Sequence, residues 1–200
     1  MTEKVLIVTL SLIFLGTFVA RNLIVKGKTK QRIRASDPIL TASIIFTNLC
    51  IFTAVFSTSS DHFYQILGVI SLLRSPIVVF LGFFLFATSI IMGWYVSAQL
   101  KASWRVGVHE NQKTQLIQNG IYQHIRNPYF ISYFTMFFSL FLIRPSLVML
   151  ILIAISISIF HRMVLKEERH LLNIHGTKYK QYSEVTGRYF PRYIKKNVGA

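Results

Sequence analysis

The stretch RNPYFISYFTMFFSLFLIRPSLVML, residues 126–150, places two strongly apolar segments on either side of a short polar turn. Asn127 followed by Pro128 is typical of a helix start, with Asn as the N-cap and Pro as the first helical residue. The turn IRPS, residues 143–146, is short enough to join two antiparallel helices, and Pro145 is expected to open the second helix. The stretch therefore predicts a helical hairpin with arms at residues 129–143 and 147–165.

The composition indicates a membrane protein. The chain has 200 residues, of which 52% are hydrophobic and 14% charged, whereas soluble domains carry about 25% charged residues. The net charge of +15 raises nucleic acid as a partner, but the basic residues flank apolar segments instead of covering a soluble face, which excludes that class. The single cysteine, Cys50, lies in an apolar segment and is expected to be a packing residue.

Five segments are long and apolar enough, or nearly so, to cross a bilayer: residues 5–20, 39–56, 77–96, 129–143 and 147–165. If these five helices alternate in direction, 19 of the 22 Lys and Arg residues fall on one side of the membrane. The positive-inside rule then predicts an N-terminus outside the cell and a cytoplasmic loop and C-terminus. We expect residues 1–100 to form an N-terminal membrane part and residues 101–200 a second unit containing the hairpin.

Polar residues are clustered just before the first arm and just after the second arm of the hairpin, both on the basic side of the membrane. His124 and Arg126 precede the first arm, and the second arm runs directly into KEERHLL, residues 166–172, before Gly176 ends the helix. A second short helix is expected to follow, with Tyr179 and Tyr182 on one face. Because a hairpin returns to the same surface, these cationic and anionic groups should meet there. Such groups alone are equally typical of a collar of exposed ion pairs, each contributing about 0–1 kcal/mol.

Four motifs in a fixed order resemble a known family. TQLIQNGIYQHIRNPYF, KEERHLL, HGTKYKQY and GRYFPRY, together with the hairpin between the first two, resemble the isoprenylcysteine carboxyl methyltransferases and, more distantly, the phospholipid methyltransferases. The resemblance covers residues 104–193. It implies an all-α integral membrane enzyme that binds S-adenosylmethionine between the hairpin and a cytosolic helical tail, and releases S-adenosylhomocysteine.

The resemblance also implies site residues. The family's cofactor contacts fall on a loop, the start of the hairpin and one acidic residue: Thr114, Gln115, Leu116, Ile117, Tyr122, Asn127, Pro128, Tyr129, Phe130 and Glu167. Two positions depart from the family pattern, because Asn127 stands where His is usual and Phe130 where Tyr is usual. Asn127 has no titratable proton, so a proton-transfer role at that position is excluded.

The implied reaction is methyl transfer to a lipophilic acceptor, a membrane lipid or a prenylated substrate. Carboxyl O-methylation of an isoprenylcysteine-like acceptor is the first expectation, with Arg126 or Arg162 positioning the carboxylate. Methylation of a phospholipid or other amine is the alternative, for which His124, His161 or His170 are candidate bases. A non-catalytic protein that binds anionic lipid or a partner through its basic face is the rival from another class. No metal is expected, since the six His show no ligand spacing.

Overall fold

The computed structural model describes residues 2–29, 37–101 and 115–192. These ranges contain α-helices and two short 3-10 helices, with no β-strand. The α-helices are α1 (Thr2–Thr29), α2 (Pro38–Phe56), α3 (Asp61–Ile66), α4 (Pro76–Gln99), α5 (Pro128–Ile143), α6 (Leu147–His175) and α7 (Thr177–Val185). The predicted all-α membrane fold and its hairpin, formed by α5 and α6, are thus confirmed.

Four of these helices are long and apolar enough to span a bilayer, namely α1, α2, α4 and α6. The predicted fourth span, α5, is shorter than these four helices. It has 16 residues, or about 24 Å of helix, whereas the hydrocarbon core of a bilayer is about 30 Å thick. It is nevertheless well enclosed, with Met136, Phe137, Leu140 and Ile143 fully buried among the other helices. Contacts with the other helices therefore stabilise α5, although its length alone would not predict a stable membrane span.

Helix α1 extends beyond the predicted segment 5–20 and includes Arg21. The side chain of Arg21 is buried, and its guanidinium donates hydrogen bonds to the carbonyls of Ala98 (3.3 Å) and Lys101 (3.2 Å). These carbonyls lie at the C-terminal end of α4, where the helix dipole favours a cation. Arg21 is therefore part of a helix–helix contact and does not mark the end of α1.

The closest helix packing joins α4 to the antiparallel α5 through small residues. A Cβ atom on Gly82 would lie 2.7 Å from Cγ1 of Ile143, and one on Gly93 would lie 3.2 Å from Oγ of Ser132. Glycine at such positions lets two backbones approach closely, as is common between helices in membranes. This contact fixes the position of α5, on which the start of the hairpin depends.

The hairpin turn differs from the prediction in one respect. Helix α6 begins at Leu147, and Ser146 is its N-cap, accepting a hydrogen bond from the backbone N–H of Met149 (3.3 Å). Pro145 therefore precedes the helix and does not open it. Its carbonyl instead accepts hydrogen bonds from Oη of Tyr64 (3.1 Å) and from the backbone N–H of Ile70 (3.0 Å). These bonds to the segment between α2 and α4 hold the turn in place.

The same end of the bundle contains a buried arginine. Arg144 is 3% exposed, and its guanidinium lies 3.7 Å from the ring centroid of Tyr64. It also donates hydrogen bonds to Oγ of Ser57 (3.0 Å) and to the carboxylate of Glu3 (3.1 Å). The charge is thus balanced by an anion, an aromatic face and a hydroxyl, which joins α1, α2 and the hairpin turn.

At the opposite end, α6 continues past the apolar segment and stops at Gly176, as predicted. The φ angle of Gly176 is +52°, a conformation that favours glycine, and it turns the chain into α7. Asp37, the N-cap of α2, accepts a hydrogen bond from Ile39 N (2.9 Å) and pairs with Lys166 of α6 (2.7 Å). This ion pair fixes α2 against the polar extension of α6.

Candidate active site

A cavity of about 390 Å³ lies at the end of the bundle where α5 begins. Helices α1, α2, α5, α6 and α7 and the loop that precedes α5 all contribute side chains to it. Of the ten predicted cofactor contacts, Thr114 lies outside the described residues. The other nine all line this cavity: Gln115, Leu116, Ile117, Tyr122, Asn127, Pro128, Tyr129, Phe130 and Glu167.

Backbone pairing with the C-terminal segment holds the start of the hairpin in place. The backbone N–H of Arg126 donates to Gly187 O (2.8 Å), and that of Asn127 donates to Arg188 O (3.2 Å). The buried Tyr182 of α7 adds a third link, because its hydroxyl donates to Tyr122 O at 2.6 Å. The cavity therefore forms only when residues 182–188 pack against the loop.

Glu168 is the centre of a charged network behind this contact. Its Oε1 accepts from Arg126 Nε (3.1 Å) and Asn127 Nδ2 (2.8 Å), and its Oε2 accepts from Arg188 NH2 (2.8 Å). The side chains of Glu168 and Arg126 are each 11% exposed. Asn127 is the N-cap of α5 by position, but its side chain makes no capping hydrogen bond and is committed to Glu168 instead.

The two arginines predicted to position a carboxylate lie in different places. Arg126 lines the cavity, but its guanidinium also donates to the carbonyls of Ser183 (2.9 Å) and Thr186, besides Glu168. Arg162 is exposed and does not line the cavity. The guanidinium that the cavity offers is thus already held by an ion pair and two carbonyls, although the one carboxylate of Glu168 serves two arginines.

Glu167 differs from Arg126 in that it has no ion-pair partner among the described residues. It lines the cavity and is half-buried, and its carboxylate makes no hydrogen bond or ion pair with any residue that the structure describes. Burial, and after it repulsion from the adjacent Glu168, makes an isolated anion here unfavourable. An unpaired, partly desolvated carboxylate is a site that a cationic ligand would stabilise.

Three tyrosine hydroxyl groups line the same region. Burial raises the pKa of Tyr122 and Tyr179 well above the usual value of about 10, and raises that of Tyr182 to about 12. All three are therefore protonated and neutral at physiological pH. They add no charge to the cavity, and the hydroxyl of Tyr182 already donates its hydrogen bond to Tyr122 O.

An aromatic cluster forms the inner surface of the cavity. The ring centroid of Tyr133 lies 5.5 Å from that of Tyr129 and 4.9 Å from that of Phe160, and Phe130 lies 6.1 Å from Phe160. Aromatic faces attract cations, with about 0.5–2 kcal/mol per contact. The departure from the family pattern at Phe130 leaves the hydroxyl of its neighbour Tyr129 in the same cavity.

None of the candidate histidines lines the cavity. His124 is exposed and contacts Gln123, and His161 shares a hydrogen bond with Oη of Tyr189 at 2.9 Å. Across residues 2–29, 37–101 and 115–192, no group of three or more His, Cys, Asp or Glu could hold a metal ion.

Sequence reasoning missed the contribution of the first two helices. The side of the cavity away from the loop is formed by residues of α1 and α2: Leu15, Phe18, Val19, Leu40, Ser43, Ile44, Thr47 and Asn48. The only signal for this surface was the row of small polar residues within the apolar α2. The division into residues 1–100 and 101–200 stays a prediction, and the cavity takes residues from both parts.

Comparison with known proteins identifies the family. A family model described as phospholipid methyltransferase matches residues 77–178, which extend from the start of α4 into α7. A search of curated proteins found no match. The matched region contains the loop, the hairpin and Glu167, and it agrees with the resemblance inferred from the sequence. The chain belongs to the phospholipid methyltransferase family and is an integral membrane, S-adenosylmethionine-dependent methyltransferase that acts on a lipophilic substrate.

Proposed function

We propose that the cavity binds S-adenosylmethionine and that the enzyme methylates the amine of a membrane lipid. The observation that carries this proposal is the charge balance of the cavity. Among the described lining residues, Arg126 forms an ion pair with Glu168, a carboxylate that it shares with Arg188, and Glu167 is the one charged side chain without an ion pair. The cofactor carries an ammonium, a sulfonium and a carboxylate, and its net charge of about +1 matches this single anion.

The residues present fit the cofactor. Glu167 would hold the ammonium group, and the loop at residues 115–117 would border the nucleoside. Tyr129, Phe130 and Tyr133 would surround the sulfonium with aromatic faces. Bound there, S-adenosylmethionine supplies an electrophilic methyl group that a lone pair on the acceptor displaces from sulfur.

The same balance bears on the acceptor. A carboxylate would bring a second negative charge into a cavity whose described residues hold no unpaired cation, and burying an unpaired charge is costly. A lipid amine is an ammonium at neutral pH, so it releases a proton to solvent before it reacts. Its neutral form brings no charge to the reacting nitrogen and has the lone pair that attacks the methyl group, which gives a methylated ammonium and S-adenosylhomocysteine. The enzyme's contribution is then to exclude water and to align donor and acceptor at about 3–3.5 Å, which can supply much of the rate. Carboxyl O-methylation of an isoprenylcysteine-like substrate is the second candidate, favoured by the presence of Arg126 in the lining.

The apolar part of the acceptor would enter from the bilayer. Val19 of α1 is 53% exposed and Asn48 of α2 is exposed, yet both line the cavity. The cavity thus reaches the outer surface of the bundle between α1 and α2, where an acyl or prenyl chain could extend. We also infer that this end faces the cytoplasm, because Lys26, Lys28 and Lys101 lie there.

The test is methyl transfer by the purified enzyme in lipid nanodiscs, with methyl-labelled S-adenosylmethionine as donor. Phosphatidylethanolamine, its water-soluble head group phosphoethanolamine, and an N-acetyl-S-prenylcysteine are offered separately. The proposal expects label in the amine of the lipid and at least tenfold less in the free head group. Label appearing as a base-labile methyl ester of the prenylcysteine alone would establish the second candidate and refute amine methylation.

A further inference from the structure

The hydroxyl group of Tyr179 is buried without a hydrogen-bond partner among the residues that the structure describes. Tyr179 lies in the first turn of α7 and is 4% exposed, and it lines the cavity. Its Oη is buried and makes no hydrogen bond within the described part of the chain. Buried polar groups are nearly always hydrogen-bonded, so a hydroxyl without a partner beside a cavity indicates a group that binds a ligand.

Tyr182, one turn later on the same helix, provides an internal comparison. Its hydroxyl donates to Tyr122 O and so connects α7 to the loop. The rings of the two tyrosines are in edge contact, with centroids 6.0 Å apart, which fixes the orientation of Tyr179 without using its hydroxyl. Packing therefore holds the ring of Tyr179, while its O–H remains available.

The chemistry of this hydroxyl selects the kind of group that it binds. Burial keeps the phenol protonated, so it serves as a donor. Donor hydrogen bonds to an anion are roughly twice as strong as those to a neutral acceptor. The charges that act on the phenol are mixed: Glu168 and Glu167 oppose a negative group there, and the guanidinium of Arg126, which also lines the cavity, favours one. The unpartnered hydroxyl itself is therefore the feature that would bind an acceptor.

Glu167 and Tyr179 together form a complementary pair on one cavity: an unpaired anion and an unpaired neutral donor. An α-amino acid in its zwitterionic form presents the matching groups, an ammonium and a carboxylate, on one carbon atom. We propose that Tyr179 donates a hydrogen bond to the carboxylate of the methionine end of the cofactor, while Glu167 binds its ammonium. This inference builds on the proposed cofactor site and adds α7 to it as a binding element.

The test is calorimetric titration with two ligands that differ in one group: S-adenosylhomocysteine, and its decarboxylated analogue, which keeps the amine. Wild type, Tyr179→Phe and Tyr189→Phe are compared in the same nanodiscs. Tyr189 is the matched control, since its hydroxyl bonds to His161 away from the cavity. We expect Tyr179→Phe to weaken S-adenosylhomocysteine about tenfold and to leave the analogue unchanged, whereas Tyr189→Phe changes neither affinity.

Each remaining outcome counts for or against the inference. An equal loss for both ligands, or no loss for either, overturns it while leaving the cofactor site intact. Equal affinity of wild type for the two ligands also overturns it, and this comparison needs no variant. Failure of wild type to bind S-adenosylhomocysteine overturns the proposed function itself. A Tm of Tyr179→Phe equal to or above that of wild type supports the inference, and a marked fall would reveal a structural partner and refute it.

Discussion

Replacing Glu167 by Gln separates binding from stability. The change removes the unpaired charge of the cavity and keeps the size of the side chain. At an effective dielectric constant of about 20, two unit charges 4 Å apart attract by about 4 kcal/mol. Desolvation of the ligand ammonium offsets part of this, and hydrogen bonds to charged groups contribute about 1.5–3 kcal/mol net. We therefore expect a loss of about 2 kcal/mol, or roughly 30-fold in the Kd of S-adenosylhomocysteine.

The same variant is expected to unfold at the same temperature as wild type or a higher one, because it removes repulsion with Glu168 and breaks no hydrogen bond among the described residues. Glu168→Gln is the matched control. It removes the charge that balances Arg126 and Arg188, and breaking such a buried pair costs about 3–5 kcal/mol. Calorimetric titration and thermal unfolding in detergent measure both quantities. Unchanged affinity in Glu167→Gln, or a fall in its Tm as large as that of Glu168→Gln, would refute this reasoning.

Two further predictions concern stability. Gly82→Ala should destabilise the fold by about 1–3 kcal/mol, because its Cβ would lie 2.7 Å from Cγ1 of Ile143. Gly16→Ala is the control, since nothing lies within 4 Å of the added Cβ, and it should have no such effect. Equal Tm values for the two variants would contradict the packing described. Hydrogen bonds from Lys166 and the backbone outweigh burial and hold the pKa of Asp37 below its usual range. A carboxyl pKa that is lower in the folded state stabilises the fold above the unfolded value of about 3.9 and loses this effect as the pH falls through the folded pKa. Asp37→Asn, which keeps a helix cap, should therefore lower Tm at pH 7, and the difference from wild type should shrink as the pH falls below about 3.9. A difference independent of pH would count against the ion pair.

The helices were largely predictable, because their signals are local. Apolar segments of the required length, Pro128 at the first position of α5 and the glycine at position 176 each act through nearby backbone geometry. Arg21 and Pro145 were placed less well, since their positions depend on hydrogen bonds to α4 and to the segment after α2. These contacts join residues far apart in the chain, and sequence spacing does not reveal them.

The candidate site likewise contains residues that the sequence predicted and others that it did not. Nine of the residues that the motif resemblance selected line one cavity, although their role in binding stays a prediction. The motif resemblance selected Glu167, but residue type and charge did not distinguish it from Glu168, which is adjacent and chemically identical. Helix geometry separates them by about 100° around the axis of α6, so that one meets the arginines and the other faces the cavity. The surface supplied by α1 and α2 was unpredictable for a related reason, since apolar residues facing a cavity resemble those facing lipid.

The link between the hairpin start and residues 182–188 has a consequence for biosynthesis. The membrane-spanning helices that the structure describes all precede this segment in the chain, so a ribosome delivers them to the bilayer before the segment emerges. Until then Arg126 has neither Glu168 fixed in place nor the carbonyls of Ser183 and Thr186 as acceptors. Insertion into the membrane and assembly of the active site are therefore separate events in time, and the nascent chain is held in the bilayer before it can methylate anything.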